Sequence, residues 1–407
     1  MTPRKAGARG ARARKAKPPR RSPAVPQDLA RELRPELWDI RDPGFNLWAA
    51  RDTARDLKRA PGLFWPHRQS RGAAWLGIPT FFKLPIALTP DDLRAGKVDV
   101  AIFGAPLDMG FGMRGAAFGP QAIRVSERYV SWADARSGAT RPHQHVRIDP
   151  FHVLTVVDYG DVAIDPFSTE RSVGHVQEFV RGIAKTGAVP LMIGGDHSLL
   201  WPGAAGVADV YGRGSVGVIH FDAHADASHS MLGHLAAHGT PVRRLIVDAH
   251  IPGRNFIQVG LRGYYPDDDT VEWMRSVGMR SHYMAEVERK GWDVVLRRAL
   301  EEALDGPRYL YVSLDIDVMD PAYTPGTGTP EPGGLTPREL FPLLRRLTAE
   351  NRVVGIDVVE MNPLVDPGYT TALNVNRCIR EMLVGLALRK QGVKTVDYLD
   401  RRMTGDA

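Results

Sequence analysis

The stretch Val216-Gly217-Val218-Ile219-His220-Phe221-Asp222-Ala223-His224-Ala225-Asp226 decides how this chain reads. Its first six residues have the composition of a strand buried on both faces of a parallel sheet, and a dense polar cluster follows at once. The pattern recurs twice. Val189-Pro190-Leu191-Met192-Ile193 runs into Gly194-Gly195-Asp196-His197-Ser198, and Tyr309-Leu310-Tyr311-Val312-Ser313-Leu314 runs into Asp315-Ile316-Asp317. In open parallel sheets chemistry collects beyond the carboxyl ends of the strands. The spacing therefore predicts that His197, Asp222, His224, Asp226, Asp315 and Asp317 converge. Four carboxylates and two imidazoles in one place carry too much negative charge without cations. Two divalent metal ions sharing bridging carboxylates offset that charge.

A single Asp-x-Asp at a strand end is an ordinary polar turn, and a lone His197 is an ordinary core histidine. Asp222, His224 and Asp226 are sharper: at i, i+2 and i+4 of an extended strand end they point to one side. Three such clusters, each after a buried strand, are what a solvated turn does not explain. Mixed imidazole and carboxylate donors suit Mn²⁺, Fe²⁺, Co²⁺, Ni²⁺ or Zn²⁺ better than Ca²⁺ or Mg²⁺. No thiolate stands near, against structural zinc. Paired ions of this kind activate water, so the chemistry implied is metal-dependent hydrolysis.

Around these clusters strands alternate with helices. Strands are expected at Val98–Phe103, Val153–Val157, 189–193, 216–221, Phe256–Val259, 309–314 and Val353–Val358. Between them, Val173, Val176, Phe179, Val180 and Ile183 mark one face of a helix that Gly187 stops. Further helices are expected near 293–304 and 372–389, and Thr336-Pro337-Arg338-Glu339 opens another with a capping box and Pro at its first position. This alternation predicts a three-layer α-β-α single domain with a mostly parallel central sheet, a closed barrel being the competing arrangement.

Composition sets bounds. The 407 residues bury a substantial core, and the charged fraction is ordinary. Of the formal net charge of +6, nine positive charges lie in residues 1–22, which hold no acid, so the remainder carries −3. The basic pI therefore gives no reason to expect a nucleic-acid partner. Residues 1–27 read as a disordered basic tail, and 396–407 as a flexible C-terminus. Residues 28–95, with Trp38, Trp48, Trp65 and Trp75, read as a Trp/Pro-rich extension that packs on the core and buries its indoles. The catalytic domain is expected over 96–395. No apolar run spans a membrane, and the single cysteine, Cys378, fits a reducing, cytoplasmic setting.

Gly194–Ser198, Asp222–Asp226 and Ser313-Leu314-Asp315-Ile316-Asp317-Val318-Met319-Asp320-Pro321 resemble the signature blocks of the ureohydrolase family of arginases, agmatinases and guanidinobutyrases. Thr324–Pro330 and Gly355–Pro363 match two further blocks, and the likeness covers roughly residues 98–390. The resemblance implies an arginase-like fold and a binuclear centre, Mn²⁺ as a rule and Ni²⁺ in some relatives. It implies His197, Asp222, Asp226 and Asp315 on one ion, and His224, Asp222, Asp315 and Asp317 on the other. A bridging hydroxide, oriented by Asp226, would attack the guanidinium carbon to release urea and an amine. Glu360 would pair with the guanidinium, Thr329 would touch the same group, and His238 would relay a proton to the leaving amine. His229 and His234 match no family position and are expected at the surface or the pocket rim. Family relatives are trimers or hexamers, so a homo-oligomer is expected.

One departure bears on the substrate. Agmatinase-like chains carry Arg-Pro-Gly-Ala-Arg-Phe-Gly-Pro where this chain has Met113-Arg114-Gly115-Ala116-Ala117-Phe118-Gly119-Pro120. The expected substrate is an agmatine-like guanidino compound, with free guanidine and guanidinobutyrate as alternatives. Met231 and Leu232 make the segment 228–238 too apolar for an α-amino acid such as arginine. A non-catalytic partner subunit and a deacetylase-type hydrolase on a related fold are the remaining readings. Intact clusters speak against the first, and the Thr-Gly-Thr loop against the second.

Overall fold

The structure is a computed structural model that describes residue 41 and residues 59–66, 77–130 and 142–393. The expected tail and C-terminus, and Trp38, Trp48 and Trp75, lie outside the described residues. Eight parallel strands form one sheet: β1 (Val100–Ala105), β2 (Val156–Asp161), β3 (Val189–Gly194), β4 (Val216–Phe221), β5 (Phe256–Val259), β6 (Arg280–His282), β7 (Tyr309–Asp315) and β8 (Val353–Val359). Their order is β2-β1-β3-β8-β7-β4-β5-β6, an open sheet and not a barrel.

Parallel strands joined by helical crossovers must be covered on both faces, which is why β1, β4, β7 and β8 are apolar almost throughout and buried. Two apolar clusters take up the two faces. Ile102, Ile193, Ile219 and Val312 pack toward the helices Pro337–Glu350 and Thr370–Lys390. Phe103, Met192, Val218 and Tyr311 pack toward the helices Thr169–Ala184 and Leu200–Tyr211. The capping box at Thr336 forms as expected, with Glu339 closing it.

The expected strand at Val153–Val157 starts late. Asp149 accepts the Phe151 N–H and Pro150 occupies the first helical position, so Pro150–Val153 is a helical turn and β2 begins at Val156. Within the N-terminal extension, Phe81, Phe82 and Leu84 join the core, while Trp65 is 40% exposed. The order β3-β8-β7-β4 matters most for function. It puts the carboxyl ends of the three strands that carry the clusters, and of β8 with Glu360, side by side.

Candidate metal centre

His197 lies on a single turn just after β3, capped by Asp196, whose Oδ1 accepts the Ser198 N–H at 3.0 Å. The close approach of this turn to the next loop requires glycine: a Cβ on Gly195 would lie 2.0 Å from the Leu107 carbonyl oxygen. Fully buried, His197 Nδ1 is 3.0 Å from Asp222 Oδ2, 3.0 Å from Asp226 Oδ2 and 3.1 Å from Asp315 Oδ2. On the other side of Asp222, His224 Nδ1 is 2.9 Å from Asp317 Oδ2 and 3.6 Å from Asp222 Oδ1. All six residues singled out by spacing thus meet. The route differs from expectation, however. β4 ends at Phe221, Asp226 takes a left-handed backbone (φ 47°), and the three side chains divide between two groups.

These donor atoms fit cations. His197 Nδ1, Asp222 Oδ2 and Asp317 Oδ2 are buried without a hydrogen-bond partner, although opposed atoms lie about 3 Å away. Close, misaligned donors are the arrangement of atoms aimed at a common ion and not at each other. Two groups of mutually close donors exist among the described residues: His197, His220, Asp222 and Asp226, and Asp222, His224 and Asp317. Asp222 belongs to both.

The electrostatics carry the same message. Burial pushes the Asp222 carboxyl up to about 6, with Asp317 adding to the rise. Burial and the same neighbours carry Asp315 well above the usual carboxylate range. Against the cost of burying a charge, Asp317 draws His224 up to about 11. Protons are standing in for missing positive charge.

Glu360 follows β8 in a left-handed conformation (φ 65°) and accepts the His197 N–H at 2.8 Å. His238 Nδ1 is 3.6 Å from Glu360 Oε1, and His238 Nε2 accepts the Phe111 N–H at 3.0 Å. Against burial, Glu360 raises the His238 imidazole to about 9, whereas the Phe111 N–H, which needs the lone pair on Nε2, favours the neutral ring. The loop 108–115 is strapped over this site: Met109 N–H donates to Asp196 Oδ2 at 2.6 Å, Met113 N–H to the Gly328 carbonyl, and Asn362 Nδ2 to the Met113 carbonyl. A cavity of about 220 Å³ opens onto the centre. His224, Asp226, His238, Asp315, Thr329 and Glu360 line it, together with Phe111, Ser228, Met231, Tyr265 and Asp267. His229 is exposed, and exposed His234 lines an adjoining cleft that shares Phe111, Met231 and His238 with the first.

Sequence reasoning passed over His220, Asp196, Phe111, Tyr265 and Asp267. Only His220 had a signal: it sits two residues before Asp222 on one strand, hence on the same face. It was absorbed into an apolar run.

A sequence model of the arginase family matches residues 98–385. The proclavaminate amidinohydrolase of Streptomyces clavuligerus is 37% identical over 307 residues, 75% of this chain and 92% of that protein. Its solved structure superposes with a TM-score of 0.67 over 78% of this chain and all of that one. The mitochondrial agmatinase of Gallus gallus is 36% identical over 346 residues, 84% of this chain and 94% of that one. A formiminoglutamase variant of Trypanosoma cruzi, its structure described with Mn²⁺, is 25% identical, with a TM-score of 0.64 over 72% of this chain and 94% of that one. The extent of these matches places the chain in the arginase family of metal-dependent ureohydrolases.

Proposed function

We propose that this enzyme hydrolyses an agmatine-like guanidino compound, cationic at both ends, to urea and an amine. The observation that carries the reading is the lining of the cavity, which among the described residues includes Asp226, Asp267, Asp315 and Glu360 but no Lys or Arg. His197, Asp222, Asp226 and Asp315 would hold one divalent ion, and His224, Asp222, Asp315 and Asp317 the other. Mn²⁺ is the first choice, the ion of the Trypanosoma relative, with Ni²⁺ as the alternative. Such ions supply a water activated near neutral pH. Asp226 would orient that water.

Once Asp222, Asp226, Asp315 and Asp317 are neutralised by cations, Glu360 and Asp267 are the cavity carboxylates left, and Glu360, in contact with His197, is the one beside the centre to pair with a guanidinium, a charge-assisted contact of high directional value. Thr329 bounds the same space. Asp267 remains for a distal ammonium. His238, buried beside Glu360 and with Nε2 held by the Phe111 N–H, is placed to hand a proton to the leaving amine. We further infer a cytoplasmic homo-oligomer, trimer or hexamer, in which apolar Phe167 and Leu232, 89% and 90% exposed, gain cover. Among the described residues no helix is long and apolar enough to cross a membrane.

Arg114 favours a second reading. It lines the adjoining cleft, and no carboxylate among the described residues pairs with it. A guanidino acid such as guanidinobutyrate would extend its carboxylate there. Urea release from agmatine, guanidinobutyrate, guanidine and arginine separates the readings. Agmatine is expected to show the highest kcat/KM and to be insensitive to Arg114→Ala. A preference for guanidinobutyrate that Arg114→Ala abolishes would overturn the first reading in favour of the second.

A further inference from the structure

Beneath the metal centre one row of the sheet is polar across five strands. Ser281 on β6 is in register with Gln258 on β5, Gln258 with His220 on β4, His220 with Ser313 on β7, and Ser313 with Asp357 on β8. Gln258, His220, Ser313 and Asp357 are all fully buried. The adjacent row is apolar on four of these strands, with Ile257, Ile219, Val312 and Ile356, and ends in exposed Arg280 on the edge strand β6. A core row of this kind is cheapest when apolar, so a polar one calls for a reason.

The hydrogen bonds give each group a direction. Ser313 Oγ donates its one proton to Asp357 Oδ1 at 2.7 Å. At 3.0 Å from His197 Nε2 the same oxygen must therefore accept, so the His197 proton sits on Nε2. Nδ1 is left bare, facing the oxygens of Asp222, Asp226 and Asp315. On the other side, Ser281 Oγ donates to Gln258 Oε1 at 3.1 Å, and the Ala225 carbonyl, which can only accept, settles the orientation of the amide. Gln258 Nε2 then donates to the Ala225 carbonyl at 2.7 Å and faces His220 Nδ1 at 3.4 Å. With Nδ1 accepting, the His220 proton is on Nε2, 3.1 Å from Asp222 Oδ2.

We propose that this row is a positioning layer: Asp357 and Ser313 fix the tautomer of His197 so that it offers a lone pair to an ion, and Gln258 fixes that of His220 so that its Nε2–H faces the shared carboxylate Asp222 at 3.1 Å, a charge contact too misaligned for a hydrogen bond. The proposal rests on the metal-centre reading above. None of Ser281, Gln258, His220, Ser313 and Asp357 lines the cavity; they act through His197 and Asp222. Partners of this kind are worth 10–100-fold in metal affinity.

The test uses the full chain stripped of metal and titrated with Mn²⁺ against a chelator, with ion count by elemental analysis and the Tm of the metal-free form. The variant Ser313→Ala/Asp357→Leu replaces the buried polar pair by apolar groups. It is expected to bind one of its two ions about 10–100-fold more weakly, and its metal-free Tm falls because the His197 Nε2–H and the Tyr311 hydroxyl lose their partners. A purely structural row predicts a lowered Tm with unchanged affinity, and that result overturns the proposal. Should the double variant not fold, Ser313→Ala alone, which deletes one oxygen, decides by the same criterion. Gln258→Met is expected to weaken binding independently through Asp222. A parent protein that binds no transition ion sinks the metal-centre reading itself, whereas a parent with two ions and an unaffected variant sinks the positioning layer alone.

Discussion

Metal-free protein should lose stability as pH rises from about 4 to about 6. An aspartate in the unfolded chain gives up its proton near ~3.9, whereas folded Asp222 keeps it up to about 6. Between those values the folded state binds more protons than the unfolded one, so stability falls with rising pH. A shift of about two pKa units corresponds to ~3 kcal/mol for this fully buried group. For a body of this size that is a drop in Tm of roughly 4–5 °C. His224, drawn up to about 11, and His238, up to about 9, are charged in both states below about 6.5 and add no slope in this window. Above it they lose their stabilising contribution as pH rises through those values, so the decline continues. Mn²⁺ should counter it, because carboxylates that bind an ion no longer need protons. At a hundredfold excess over Kd each ion adds about 2.7 kcal/mol. Calorimetry of chelator-treated protein at pH 4.5, 6 and 8, with and without Mn²⁺, reads all of this. Metal-free stability that is flat or increasing between pH 4.5 and 6 would refute the reasoning.

Asp226→Ala and Asp317→Ala should each lower bound metal measured by elemental analysis and cost most of the urea production; full turnover with either would remove that residue from the ligand set. His238→Asn should cut kcat by about 10²–10⁴-fold with both ions retained, and parallel loss of metal would make His238 structural. Gly195→Ala drives a methyl group into the Leu107 carbonyl; a cost above about 4 kcal/mol in denaturant unfolding is expected, and a neutral effect would show that the turn yields. Deleting residues 1–22 should leave kcat/KM unchanged, and a large loss in the urea assay would assign the basic arm a role.

The three clusters were legible because burial and chemistry use different residues: long apolar runs mark the strands, and the charged groups stand where those runs stop. Strand order was not legible. Alternation of strands and helices implies parallel neighbours, but nothing local tells β8 to insert between β3 and β7, and that insertion brings Glu360 to His197. Asp196 was invisible as a loop anchor because its partner, Met109, lies 87 residues away. Phe111, Tyr265 and Asp267 come from loops with no periodicity, and tertiary approach alone delivers them to the cavity. The polar row escaped for a different reason. Ser313 and Asp357 each look like a single lapse in an apolar strand, and they acquire a joint meaning only when strand register aligns them.

The left-handed backbone at Glu360 sets durability against turnover. A side chain there costs about 1–2 kcal/mol that glycine would not, although Glu360→Gly would also orphan the buried His197 N–H that the carboxylate accepts. That replacement would discard the acid proposed above to pair with the guanidinium, so the strained backbone is kept where the proposed chemistry needs a carboxylate.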